Sequence, residues 1–312
     1  MKTVFFGTPE FAVPILDALE DAGRMPLAVV CQPDRPSGRG RKLKPPAVKL
    51  WALERGIEVL QPEKQKEPEF LERLESLEMD LGLVAAFGQL IPKRVLALPP
   101  KGFINVHPSL IPKYRGAAPM QWTLIRGDAQ TGVSILAVTP RLDDGDVLLQ
   151  ESVAVPQDMG MEALHDLLAV LGGRLLVEVV ETMEQGPIQG QPQDAQQVIW
   201  APALTKEDGR LDWSRPALEL HNRIRGVQPW PGAWSHLQGR LLKIHAARVA
   251  EGDAEESAEA GSVVEAEGER IRVACGEGSL LLTEMQLEGK KRLDTRSFLA
   301  GRSIKSGDRL GS

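Results

Sequence analysis

Short apolar runs alternate with amphipathic segments through the first half of the chain. Thr3–Phe6 is apolar, and Glu10–Ala22 follows with apolar residues at 11, 12, 15, 16 and 19, a helical stripe with Pro14 in its first turn. Leu27–Cys31, Ile57–Leu60 and Leu81–Ala86 read as strands. Val48–Arg55, Glu67–Leu77 and a short segment near Lys93–Leu98 read as helices. Gly102-Phe103-Ile104 ends another buried strand, Val133–Val138 and Val147–Val153 are further strands, and Met161–Met183 is one long amphipathic helix. This rhythm predicts an α/β fold: a doubly wound, mostly parallel sheet of Rossmann type with helices on both faces. Ligands on such sheets bind beyond the carboxyl ends of the strands, where Gly7, Phe87-Gly88 and Asn105 fall.

The pattern then changes. Gln185–Gln197 is rich in Gln, Gly and Pro and reads as a linker or an extended crossover. Beyond Ala217 a helix is followed by short strands at Ala233–Leu237, Leu241–Val249, Gly261–Ala266, Ile271–Ala274 and Leu280–Gln286, the pattern of a small all-β barrel of the OB-like kind. Glu251–Glu259 reads as a solvated hairpin excursion. A chain of 312 residues has room for two cores at about 150 residues each. The expected division is a catalytic domain at 1–188, a linker at 189–206 and the barrel at 207–312.

Candidate chemistry gathers where the strand ending at Ile104 runs on. Asn105 and His107 are two apart, so an extended backbone points both the same way and they leave a sheet edge together. Pro108 and Pro112 then stop the ladder and hold an ordered turn. Leu142-Asp143-Asp144-Gly145 adds a carboxylate 36 residues after His107. An amide suits a donor to a developing oxyanion, and an imidazole with an ordinary pKa of about 6.5 exchanges protons near neutrality. Amide, imidazole and carboxylate together suit acyl transfer without a covalent intermediate. No nucleophile elbow, zinc-protease helix, P-loop or nicotinamide fingerprint is present. Cys31 and Cys275 are too few and too far apart for a disulfide framework or a cysteine metal site, and no metal is expected. His165, His221, His236 and His245 read as structural or exposed.

Net charge is −6, yet its distribution is uneven. Six basic residues (35, 39, 41, 42, 44 and 49) and no acid lie between Arg35 and Lys49, and seven bases against two acids lie between Gly289 and Ser312. Eight acids and no base fill Glu251–Glu269. Local patches decide what a surface attracts. Residues 33–46 carry four prolines, two glycines and no amphipathic period, so an exposed, partly mobile insertion is expected there, with Arg35, Arg39, Arg41, Lys42 and Lys44 available to phosphates. Lys290, Lys291 and Arg292 form a second cluster. No stretch reaches the roughly 20 apolar residues of a membrane helix, and the short apolar start reads as a first strand rather than a signal peptide. With this cysteine usage, a cytoplasmic setting is expected.

Asn105-x-His107-x-Ser109-Leu110-x-Pro112, with Asp143 downstream, resembles the formyltransferases that use 10-formyltetrahydrofolate. Gln32-Pro33-Asp34-Arg35-Pro36-Ser37-Gly38-Arg39-Gly40, Arg115-Gly116-Ala117-Ala118-Pro119 and Pro229-Trp230-Pro231 resemble the branch whose acceptor is methionyl initiator tRNA. The resemblance covers essentially the whole chain. It implies a formyltransferase-like α/β domain in which Asn105 and His107 hold the tetrahedral oxyanion and Asp143, hydrogen-bonded to the imidazole, orients it. Folate would lie between Phe87, Gly88, Gln89, Leu90 and Ile91 on one side and Ser109, Leu110, Ile111 and Pro112 on the other. A cis peptide at Pro112 is also implied, as are initiator methionyl-tRNA and folate as the partners of a monomer. Val138-Thr139-Pro140-Arg141 departs from the Met-Asp-x-Gly run usual in the family and bears on the shape of the folate-side loop. A formyltransferase acting on a nucleotide-sugar amine or a glycinamide ribonucleotide, and a non-catalytic RNA-binding module, are the rival readings.

Overall fold

The first apolar run forms β1 (Thr3–Gly7), buried at every position. In the computed structural model, which describes residues 1–37, 42–251, 258–301 and 304–311, β1 leads to α1 (Val13–Asp21) and β2 (Ala28–Val30). Then come β3 (Arg35–Ser37), β4 (Lys42–Lys44), α2 (Ala47–Glu54), β5 (Glu58–Leu60), α3 (Pro68–Ser76) and β6 (Leu81–Ala85). After these follow α4 (Lys93–Leu96), β7 (Phe103–His107), β8 (Lys113–Arg115), α5 (Pro119–Arg126) and β9 (Gln130–Ala137). β10 (Val147–Ala154), α6 (Met161–Gln185) and β11 (Ile199–Trp200) come next.

One compact unit comprises Met1–Pro119, Gln130–Ala154 and Leu164–Ala201. Its seven-stranded sheet has the order β10-β9-β7-β6-β1-β2-β5. The strands from β7 to β5 run parallel, and β9 and β10 are antiparallel at one side. Strands covered on both faces must be apolar throughout, which is why β1 and β6 appear in the sequence as unbroken hydrophobic runs. On one face Val4, Phe6, Val30, Val84 and Phe103 pack with Phe70, Leu71 and Leu74 of α3. On the other, α6 comes close at two glycines. A Cβ on Gly172 would lie 2.7 Å from Val106 Cγ1 of β7, and one on Gly173 would lie 2.8 Å from Ala18 of α1.

That close approach orients β7. With Val106 turned to α6, the alternation of the strand sends Asn105 and His107 to the opposite face. β7 is paired on both sides, with β6 and with β9, so the two polar residues stand near the C-terminal end of an interior strand, not at a sheet edge.

The segment 33–46 differs from its expectation. β3 and β4 form a two-stranded antiparallel ribbon with Arg35 opposite Lys44 and Ser37 opposite Lys42. A ribbon satisfies its backbone by cross-strand pairing and needs no apolar face, so hydrophobic periodicity leaves no trace of it. Arg39 and Arg41 lie outside the described residues, as does most of the expected hairpin at 251–259.

The other unit comprises Met120–Ala129, Val155–Ala163 and Pro202–Ser312. It contains α7 (Ala217–Gly226), β12 (Ala233–Leu237), β13 (Arg240–Val249), β14 (Val263–Glu267), β15 (Arg270–Ala274), β16 (Ser279–Leu287), β17 (Leu293–Asp294) and α8 (Thr295–Ala300). The strands are antiparallel in the order β12-β13-β16-β15-β14, with β17 on β16. Leu310 bridges Leu237 at one end of that order and Arg309 bridges Ser262 beside β14 at the other, so the chain terminus closes the curl. Among the described residues no helix is long and apolar enough to cross a membrane.

Candidate active site

His107 ends β7 with its side chain buried, and Asn105, two residues earlier, is half-buried. The imidazole Nε2 lies 2.9 Å from the carbonyl of Tyr114, an acceptor only, so Nε2 carries a proton and donates it there. Nδ1 faces Asp143, whose Oδ2 is 3.7 Å away. That distance is too long for a direct hydrogen bond, which corrects the expectation that the carboxylate is bonded to the ring. Asp143 Oδ2 instead accepts from the backbone N–H of Gly116 at 2.9 Å. Among the described residues no side chain or backbone group hydrogen-bonds the Asn105 carboxamide, so its donors are free for a ligand.

Local conformation places these groups. Tyr114 has a left-handed backbone (φ 68°) and a fully buried ring, and Gly116 has φ 125°. A Cβ on Gly116 would lie 2.6 Å from the Ala201 carbonyl, so only glycine brings its N–H to Asp143 on this path. Asp143 is itself left-handed (φ 50°), in a loop pressed so tightly on β9 that a Cβ on Gly145 would overlap the Ala137 carbonyl, 1.8 Å away. The Ile111–Pro112 peptide is cis, as are Gln228–Pro229 and Trp230–Pro231.

The expected folate walls divide into frame and face. Phe87 is buried, its ring edge-on to Phe6 at 5.4 Å, and its carbonyl accepts from Thr8 Oγ1 and Gln32 Nε2. Gly88 (φ 79°) leaves room for the Gln32 amide, and Gln65 Nε2 donates to Gln89 Oε1 and to the Leu90 carbonyl. Leu90 is 70% exposed, so in this loop it presents an apolar side chain to solvent, with Ile91 half-buried beside it. Ser109 and Ile111 are buried. Ser109 Oγ donates to the Lys113 carbonyl, the Ile111 N–H donates to Ser134 Oγ, and Ser134 Oγ donates to the Ser109 carbonyl. Leu110 packs toward Gly132, and Leu110 and Pro112 are the more open positions of that wall.

Of the expected phosphate-binding residues, Arg35 and Lys44 are exposed, and Lys44 pairs with Glu10 at 3.6 Å. Lys42 is in the ribbon. Lys290, Lys291 and Arg292 are exposed at a turn, with Arg292 paired to Glu284. Sequence reasoning missed a groove of about 1080 Å³ in the second unit, where Arg126, Arg210 and Arg223 gather with Trp122, Trp213 and Trp234. Its residues come from five separate stretches of chain between Trp122 and Gly311, and no local motif announces it. Tyr114, Gly116, Arg115 and Gln193 were missed as site residues for a related reason: Tyr114 and Gly116 act through main-chain groups, which the residue type does not encode.

The family described as "Formyl transferase" matches residues 1–180, and that described as "Formyl transferase, C-terminal domain" matches 203–303. Among solved structures, an N-formyltransferase from Helicobacter canadensis in complex with folinic acid and dTDP-3-aminofucose superposes with a TM-score of 0.69 at 14% identity, covering 90% of this chain and 98% of that one. HypX from Aquifex aeolicus in complex with tetrahydrofolic acid gives 0.67 at 16%, covering 98% of this chain and 48% of that one. At such identities the likeness is one of fold, and the class that fold defines, with the two family matches, is the formyl transferases. Finer resolution comes from sequence. Methionyl-tRNA formyltransferase of Pelobacter propionicus is 48% identical over 308 residues (99% of this chain, 95% of the relative), and that of Acidobacterium capsulatum is 48% identical over 314 residues (100% of both). The chain belongs to the methionyl-tRNA formyltransferase family.

Proposed function

We propose that the protein transfers the formyl group of 10-formyltetrahydrofolate to the free α-amino group of methionine esterified to initiator tRNA, giving formylmethionyl-tRNA for translation initiation. The observation that carries the reading is the convergence of Asn105, His107 and Asp143 at the end of β7, in a chain similar over its full length to enzymes of that name. The amine attacks the formyl carbon, the C–N10 bond breaks, and the amine's proton is finally replaced on N10 of the departing tetrahydrofolate.

Asn105 donates to the oxyanion from a carboxamide that no group among the described residues engages. Nδ1 is the imidazole nitrogen left for proton exchange, because Nε2 is committed to Tyr114. Asp143 stands on the Nδ1 side, where its carboxylate orients the ring. Leu90, Ile91 and Pro112 form the accessible part of the folate seat, framed by Phe87, Gly88, Gln89, Ser109, Leu110 and Ile111. Initiator tRNA is held through phosphates by Arg35, Arg39, Arg41, Lys42 and Lys44 in the first basic stretch of the sequence and by Lys290, Lys291 and Arg292 in the second. The residue ranges 1–188, 189–206 and 207–312 serve as catalytic domain, linker and tRNA-contacting domain. The protein is read as a monomer acting in the cytoplasm.

A single-turnover assay tests this. The protein is mixed with 10-formyltetrahydrofolate and either methionyl initiator tRNA or the uncharged tRNA, and formyl-methionine is scored. Formylation of the charged tRNA alone is expected. Folate binding with no formyl transfer would leave the α/β site and remove the acceptor, and amino-sugar nucleotides and glycinamide ribonucleotide would be tried next.

A further inference from the structure

We propose that Gln193 is a positioning residue for the reaction: through its carboxamide it fixes the Asp143 loop against the turn that holds His107. The proposal rests on the reading that Asp143 acts on His107. Gln193 Nε2 donates to the carbonyls of Asp143 (2.9 Å) and Gly145 (2.6 Å), while its Oε1 accepts from Arg115 Nε (2.9 Å) and Nη2 (2.7 Å). Both ends of one amide are therefore filled, and each end grips a different wall of the site.

These hydrogen bonds, completed by the 3.7 Å approach of the Asp143 carboxylate to Nδ1, close a circuit. His107 Nε2 bonds the Tyr114 carbonyl, Arg115 follows Tyr114 in the chain and grips Gln193, Gln193 holds the Asp143 main chain, and the Asp143 carboxylate returns to Nδ1 of His107. The stretch carrying Gln193 is pinned at both ends to the same two walls. Gln191 exchanges N–H···O bonds of 2.9 Å with Val147, just beyond the Asp143 loop. Farther on, the Ile199 N–H donates to Pro112 and the Ala201 N–H to Arg115. A segment that composition marks as a linker is thus a strap between the two sides of the site.

Its chemistry explains why glutamine suits the position. Two converging carbonyls need a forked N–H donor, and a guanidinium needs an acceptor, and only an amide offers both from one planar group. Among the described residues, no backbone N–H donates to the Asp143 or Gly145 carbonyl, so Gln193 is their hydrogen-bond donor. Asp143 lies in the left-handed region, where non-glycine residues persist only when their surroundings over-determine them. Without Gln193 the loop has less to hold that backbone, and the 3.7 Å relation of carboxylate to imidazole loosens. A misplacement of about 1 Å in such a site costs up to roughly 100-fold in rate.

The test uses Gln193→Met, which keeps the length and removes donor and acceptor, and Gln193→Glu, which keeps an acceptor for Arg115 and loses the donor. Both are assayed for formyl transfer in the wild-type and Asp143→Asn backgrounds, with kcat, the KM of each substrate, the pH profile of kcat and thermal unfolding. In the wild-type background both variants are expected to lose about 10- to 100-fold in kcat. KM should stay within about twofold for folate and tRNA, and the pH profile should shift. In the Asp143→Asn background the further loss should be under about twofold, because residues acting through one group are not additive. A wild-type kcat and pH profile in Gln193→Met, or the same fold loss in both backgrounds, overturns the positioning role. Wild-type protein that transfers no formyl group overturns the functional reading instead, and the two failures are told apart by that control.

Discussion

His107 donates through Nε2 to the carbonyl of Tyr114 at 2.9 Å, and this bond leaves Nδ1 as the ring nitrogen without a hydrogen-bond partner among the described residues. Nδ1 is turned to Asp143, whose carboxylate is in turn steadied by the Gly116 N–H. Tyr114 in β8 and Gly116 just beyond it are two residues apart, so this turn at the end of one short strand sets both the ring and its carboxylate. A change that disturbs this turn should act on rate before it acts on binding.

Gly145 offers the sharpest test of that geometry without touching a reacting group. In Gly145→Ala the new Cβ would meet the Ala137 carbonyl at 1.8 Å, and since that atom is backbone the loop must move. Expected are a loss of about 1–3 kcal/mol in denaturant unfolding, typical of forcing atoms into packed space, and a fall of about 10-fold or more in kcat. Unaltered kinetics would mean that the Asp143 loop tolerates displacement.

The two cysteines should be inert. Cys31 and Cys275 are buried, and burial pushes both thiols up to about 12. At Cys31 the Lys49 ammonium pulls the other way and loses. Thiolate is the reactive form, so a chromogenic thiol reagent at pH 8 should label neither cysteine in the folded protein and both in denaturant. Rapid labelling of the native protein would contradict their burial.

His245 on β13 should make the protein less stable in mild acid. Burial lowers its pKa from the ordinary value, outweighing the hydrogen bond with Gln286 that favours the charged form. The unfolded chain then takes up a proton near pH 6.5 while the folded chain resists it, so stability is full above that pH and declines as pH falls through it. The decline ends once the lower folded value is passed. Urea midpoints at pH 5.5 and 7.5 should differ less in His245→Gln than in the wild type; an equal difference would assign the effect to other groups.

Neutralising Arg39, Arg41 and Lys42 together should raise KM for tRNA and flatten its dependence on salt, leaving folate binding as it was. Every phosphate that goes unneutralised takes nearly one unit from the slope of log affinity against log salt. An unchanged slope would place the phosphate-binding surface elsewhere, with the arginine- and tryptophan-lined groove of the second unit the first alternative.

How much of the fold and site is legible in the sequence follows from which groups act through side chains in regular structure. β7 is readable because Phe103 and Ile104 are apolar and Asn105 and His107 share one face; Asp143 is readable as a carboxylate in a turn. The barrel is readable from short strands at close spacing. What lies hidden is carried by the main chain or by distant partners. The Tyr114 carbonyl, the Gly116 N–H and the left-handed backbone of Asp143 have no signature in residue type. Gln193 stands 50 residues from the loop it holds, in a stretch whose composition speaks only of polarity. The resemblance implies that Ser109 and Ile111 line the folate site, and their burial is not readable from residue type.

The most direct measurement is the single-turnover rate of formyl transfer to methionyl initiator tRNA in Asn105→Ala and His107→Ala, with both substrates saturating and folding checked by thermal unfolding. Loss of an oxyanion donor or an acid–base group costs about 100-fold or more, so each variant should fall at least that far while remaining folded and able to bind folate. Transfer near the wild-type rate in both would contradict the account and move the chemistry away from the end of β7.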